Sequence, residues 1–253
     1  GSCRGNRQSE AQAVMRQKGA SMRVCAIHQP NFFPWSGYFD KIRSADVFVF
    51  LDDVDYPRAG SGGMGSWTNR VKLNINGEGR WWGAPMTKQS QPTPINDSWI
   101  SNDPKWRLKA LRSMQQAYAK AANFEKGFAL VEPLILNPEQ NIARYNMHAI
   151  RTISDALGLS AEIVVQSELG TEKASTELLI ELVRKTGSDV YLAGGGAGGY
   201  QEDQMFADAG LELRYQAFSP VPYGDPASFV PGLSIIDFLM REPDWSSFPG
   251  AAK

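Results

Sequence analysis

The chain has 253 residues, 42% of them apolar, and 26 basic against 27 acidic side chains leave a formal charge of -1. That is enough apolar material for a substantial core, and the balance of charge without a long run of either sign excludes a basic nucleic-acid footprint or a polybasic membrane patch. Its two cysteines, Cys3 in a polar stretch and Cys25 in an apolar one, argue against a disulfide framework or a cysteine zinc site and suit a reducing cytoplasm.

Residues 1–21 are polar and carry no apolar signal-peptide core, so they read as a tail, with Met22 as the functional start. No stretch approaches the roughly 20 apolar residues that span a bilayer, and a soluble cytoplasmic protein is expected. The first structural segment is Val24 to His28, an apolar run that reads as a buried strand and that Pro30 and Pro34 stop from continuing. His28 and Gln29 then fall at the strand's C-terminal end, where open α/β sheets collect ligands. Trp35 to Ser44 reads as a short helix and Asp46 to Leu51 as a second buried strand, a compact βαβ opening. The second strand ends in Asp52-Asp53-Val54-Asp55, at the same sheet edge as His28 if the strands are parallel.

The glycine-rich stretch from Ala59 to Gly65 reads as a mobile loop or lid, and Val71 to Ile75 with Arg80 to Pro85 flank an Asn76-Gly77 turn, predicting a hairpin at an edge of the sheet. Helical periodicity runs from Pro104 to Ala122 and again from Ile142 to Leu157. Ala161 to Gln166 (strand), Ser175 to Thr186 (helix), Asp189 to Ala193 (strand), Asp203 to Ala209 (helix), Leu211 to Phe218 (strand) and Ser234 to Met240 (helix) complete the chain. The alternation predicts a three-layer α/β sandwich with a mostly parallel or mixed sheet and a helical insertion over about 104–157.

Several side chains suit chemistry. His28 is placed to act as a general base towards a substrate amine, against the alternative that it orders the turn through a backbone hydrogen bond. Asp52 and Asp53 are carboxylates able to orient His28, hold an ammonium or cap the next turn; adjacent positions on an extended chain face opposite ways, which counts against a metal site. Trp67, Asn69 and Arg70 combine a stacking face, an amide and a guanidinium, a set suited to a sugar ring carrying an anion, or to pinning the loop with Arg70 paired to Asp52 or Asp53. The loop from Gly194 to Gly199 lacks the signature of a phosphate-binding P-loop or a dinucleotide site, yet its backbone N–H groups, with Gly195 and Tyr200, suit an anion. His148 reads as a half-buried helix residue, Cys25 as a core cysteine, and Ser234 and Asp237 as a helix cap and first-turn acid.

The motifs His28-Gln29-Pro30-Asn31, Pro34-Trp35, Gly37-Tyr38-Phe39-Asp40-Lys41, Phe50-Leu51-Asp52-Asp53-Val54 and Trp67-Thr68-Asn69-Arg70, followed by Tyr191-Leu192-Ala193-Gly194, Pro222-Tyr223, Phe229 and Leu233 to Leu239, closely resemble the WbqC-like protein family. The resemblance covers residues 22–241 as one domain and leaves 242–253 as a C-terminal tail. It implies a role in polysaccharide or natural-product biosynthesis, with small acyl or aminoacyl groups placed on amino sugars or amines. The expected activity is that of an amide-forming acyl or aminoacyl transferase using a coenzyme A or acyl-carrier-protein thioester, with no cofactor or metal. His28, Asp52 and Asp53 would be its catalytic residues, and Gln29, Asn31, Trp67, Asn69, Arg70, Gly195 and Tyr200 would bind substrate. A non-catalytic ligand-binding or scaffold protein and a metal-dependent glycosyltransferase-like enzyme are the alternatives.

Overall fold

The computed structural model of the chain describes residues 21–57, 66–88, 90, 92–195 and 202–248. Five short strands form one sheet: β1 (Val24–His28), β2 (Val47–Phe50), β5 (Glu162–Val165), β6 (Val190–Ala193) and β7 (Glu212–Tyr215). All four pairings are parallel and the order is β5-β2-β1-β6-β7. Strands β2 and β6 are buried at every position, as parallel strands covered on both faces must be.

Each face has its own core. On one, Ala26, Phe48, Phe50 and Leu192 pack under α1 (Ser36–Arg43) and α4 (Ile142–Ala156); on the other, Cys25, Ile27, Val47, Val49 and Tyr191 meet α5 (Ser175–Lys185) and Phe206 of α6 (Asp203–Asp208). The result is the predicted three-layer α/β sandwich. Each fully buried Phe or Ile in these clusters stabilises the fold by about 1.5–3 kcal/mol through the apolar area it removes from water.

The crossover from β2 to β5 is the long one. It carries a hairpin of β3 (Arg70–Ile75) and β4 (Glu78–Gly83), then α2 (Lys105–Tyr118), α3 (Phe124–Leu136) and α4. The hairpin forms as its residues predict, but as a separate two-stranded sheet and not as an edge of the main one. The reason is burial: Val71 and Leu73 turn inward with Met114 and Tyr118 of α2, and the Asn74 N–H donates to Tyr118 Oη at 3.1 Å.

Helix α3 has no counterpart in the predicted elements, because Gly127 and Pro133 interrupt its pattern. Gly127 has a place in it. A Cβ on Gly127 would stand 2.7 Å from the Leu239 carbonyl oxygen, so the glycine lets α3 lie against α7 (Ile235–Arg241). The expected tail is also partly structural: Trp245 and Phe248 are buried, Trp245 Nε1 donates to Leu239 O at 3.2 Å, and the Phe248 ring packs edge-on to Phe238. Among the described residues no helix is long and apolar enough to cross a membrane.

Candidate functional site

The strand order reverses between β1 and β6. Their connections depart to opposite faces of the sheet, and in a doubly wound fold that divergence opens a crevice at the C-terminal strand ends. Ala26 pairs with Leu192, and continuing that register sets His28 level with Gly194. The two segments that the sequence singled out for β1 and β6 therefore end side by side.

His28 is half-buried, with its ring 4.7 Å from that of Tyr38. Its Nδ1 lies 3.0 Å from Gln29 O; a carbonyl only accepts, so Nδ1 carries the hydrogen and Nε2 keeps a lone pair. Tyr38 Oη donates to the same carbonyl at 2.9 Å. Burial, reinforced by the nearby Lys41 charge, pulls the imidazole pKa down to about 3, so the ring is neutral near pH 7. His28 thus does both things its sequence position suggested: it orders the turn through Nδ1 and leaves Nε2 able to accept.

Lys41, on α1, reaches the same place from one helix turn beyond Tyr38. Only 3% exposed, it donates from Nζ to Ile27 O at 2.8 Å, and burial lowers its pKa to about 8. Sequence reading named Lys41 within a motif and gave it no role. The available signal was its spacing, because a lysine three residues after Tyr38 and next to Ile42 falls within the buried part of α1.

The loop between β1 and α1 is held from three sides. Asn146 of α4 is fully buried and donates through Nδ2 to Pro30 O at 2.9 Å and Thr68 O at 2.7 Å. Phe32 N–H donates to Trp67 O at 2.9 Å. Ser234, the expected cap of α7, accepts from Ile236 N and also donates through Oγ to Phe33 O at 2.7 Å, where Phe33 takes a strained φ of 39°. These bonds fix the loop that carries Gln29 and Asn31, both half-buried, just beyond the C-terminal end of β1.

Asp52 and Asp53 sit at the other half of the edge, against β5. They do turn to opposite faces: Asp52 is buried and Asp53 exposed. Asp52 accepts from Ser167 N at 3.0 Å through Oδ1 and from Ser167 Oγ at 2.7 Å through Oδ2. The buried Gln166 amide brackets the Asp53 backbone, accepting from its N–H at 3.2 Å and donating to its carbonyl at 3.3 Å. Among the described residues the Asp53 carboxylate receives only Asn96 Nδ2, at 3.3 Å. These contacts tie β2 to β5: Asp52 is held structurally, by Ser167 across the sheet and not by capping the turn that follows it. Among the described residues no group of three His, Cys, Asp or Glu could hold a metal ion.

The hairpin cluster divides likewise. Asn69 looked the residue least easily explained by structure, yet both ends of its amide have structural partners: Oδ1 accepts from Tyr56 Oη at 2.8 Å and Nδ2 donates to Ala84 O at 3.0 Å. Trp67 is 38% exposed and lies 5.3 Å from the equally exposed Trp81, over which the Arg70 guanidinium sits at 4.5 Å. Trp81 is the member of this surface that sequence reasoning missed.

A Cβ on Gly195 would approach Gln216 O to 3.2 Å, so the backbone there runs close to the segment after β7. Tyr200, the rest of the glycine loop from Gly196 to Gly199, and the Gly60 to Gly65 loop lie outside the described residues. His148 is exposed on α4, not half-buried, and Cys25 is a core cysteine whose thiol burial pushes up to about 11.

Strand order and crossovers define a doubly wound α/β protein whose topological switch point lies between β1 and β6. The sequence profile of the WbqC-like protein family matches residues 29–246, and the chain belongs to that family. It is 25% identical over 225 residues to the uncharacterized protein Rv1507c of Mycobacterium tuberculosis, an alignment covering 87% of this chain and 94% of the relative. No solved structure matches the chain.

Proposed function

We propose that this protein is an amide-forming transferase, passing an acyl or aminoacyl group from a coenzyme A or carrier-protein thioester to the amine of an amino sugar or natural-product intermediate. The observation that carries the reading is the pairing, in one crevice, of a neutral histidine that keeps its Nε2 lone pair with a buried lysine. The amine nitrogen attacks the thioester carbonyl and a C–N bond forms. The C–S bond then breaks, and the proton lost by nitrogen ends on the leaving thiolate. A histidine whose pKa lies near 3 holds that proton only in passing, so Nε2 acts as a relay between nitrogen and sulfur and not as a store. Gln29 at the crevice mouth is the side-chain donor for the developing oxyanion, and exposed Trp67 offers its indole face to a sugar ring.

A second reading, a non-catalytic ligand-binding protein of a biosynthetic cluster, is favoured by the engagement of Asp52 and Asn69 in structural hydrogen bonds. Turnover separates the two. Purified protein given acyl and aminoacyl thioesters of coenzyme A or a carrier protein with amino-sugar nucleotides should release free thiol and amide, and His28→Gln should lower kcat by about 10²-fold. Thiol release no faster than the uncatalysed background across such a panel refutes the transferase.

A further inference from the structure

Lys41 is the one buried cation in the described crevice, and its surroundings do not neutralise it. Its only hydrogen bond is to a neutral carbonyl, Ile27 O, which leaves two of the three ammonium donors without a partner among the described residues. No described carboxylate pairs with it: the adjacent Asp40 carboxylate is taken by Arg43 and by Gln216 Nε2, each at 2.8 Å. An isolated charge withdrawn from water is retained only where something compensates it. Among the described residues, the end of β6 lies beside the Lys41 ammonium. A Cβ built on Gly194 would lie 4.0 Å from Nζ, so the residue facing the ammonium has no side chain.

We propose that Lys41 binds a diphosphate group of the substrate in the crevice between the ends of β1 and β6. This rests on the reading of that crevice as the substrate site. Two substrate classes of the proposed reaction carry that chemistry, a nucleoside-diphosphate sugar and coenzyme A. A compact ammonium suits a phosphate oxygen as a point charge, and Gly194 beside it carries no side chain.

Equilibrium binding of inorganic pyrophosphate, uridine diphosphate and coenzyme A to the purified full chain, by calorimetry and without turnover, tests the proposal. The expected result is that at least one binds and that Lys41→Met weakens it tenfold or more, while Lys41→Arg keeps part of the affinity. Preference for uridine diphosphate assigns the seat to the acceptor, and preference for coenzyme A to the donor. If Lys41→Met does not fold, Lys41→Arg and Gly194→Ala decide, the latter setting a methyl beside Nζ at ordinary contact distance. Either must then bind at least threefold more weakly. No binding by the wild-type chain, or affinity unchanged in the variants, overturns the proposal. Binding that depends on Lys41 in a protein without transferase activity leaves this inference standing and refutes the transferase alone.

Discussion

The two halves of one sheet edge treat their polar groups in opposite ways. Where β2 meets β5, Asp52, Ser167, Gln166 and the Asp53 backbone satisfy one another, and the cluster reads as a clamp between strands. Where β1 meets β6, His28 keeps a lone pair and Lys41 keeps a charge that no described carboxylate pairs. Mutual satisfaction marks residues retained for the fold; an uncompensated buried group marks one retained at the expense of stability, as functional residues often are.

Mutation should expose the contrast with opposite signs. Asp52→Ala removes the acceptor for two Ser167 donors and is expected to lower stability by about 3 kcal/mol, read as a drop in the denaturation midpoint at unchanged slope. Lys41→Met should instead stabilise. Lowering a lysine from 10.5 to about 8 corresponds to roughly 3 kcal/mol of penalty at neutral pH, part of which is offset by the lost bond to Ile27 O, leaving a gain of about 2 kcal/mol. Between pH 8 and 10.5 the unfolded chain binds more protons at this site than the folded one. The advantage of the methionine variant should therefore shrink as pH rises through that window.

His28 acts at the other end of the pH scale. Its folded pKa, near 3, lies below the ordinary 6.5, so stability is full above pH 6.5 and declines as pH falls towards 3. His28→Gln should flatten that decline in denaturant titrations between pH 6.5 and 4. The smallest change is predicted for Asp53→Asn, within about 0.5 kcal/mol of wild type, because the carboxylate is exposed and its one partner is distant. A large loss there would erase the distinction between the two carboxylates.

Much of this was legible in the sequence because local pattern and tertiary role agree. The apolar runs of β1, β2 and β6, the periodicity of α2, α4 and α5, and the Asn76-Gly77 turn all declare themselves within a dozen residues. What stayed hidden depends on partners far along the chain. Helix α3 contains Gly127 and Pro133, and the place of Gly127 becomes clear only when α7 is packed on it. Asn69 looked functional because its partners, Tyr56 and Ala84, lie 13 and 15 residues away. Lys41 drew no role because the acceptor of its ammonium, Ile27 O, lies on β1 and 14 residues away. Asn146 illustrates the same limit, since it acts on Pro30 from 116 residues away.

The central claim is that ligand enters between β1 and β6 and not at the β2–β5 edge. Backbone amide NMR of the full chain, titrated with uridine diphosphate and with coenzyme A, locates the ligand directly. The largest shifts are expected on His28, Gln29, Lys41, Gly194 and Gly195; shifts centred on Asp53, Asn96 and Ser167 would contradict entry between β1 and β6.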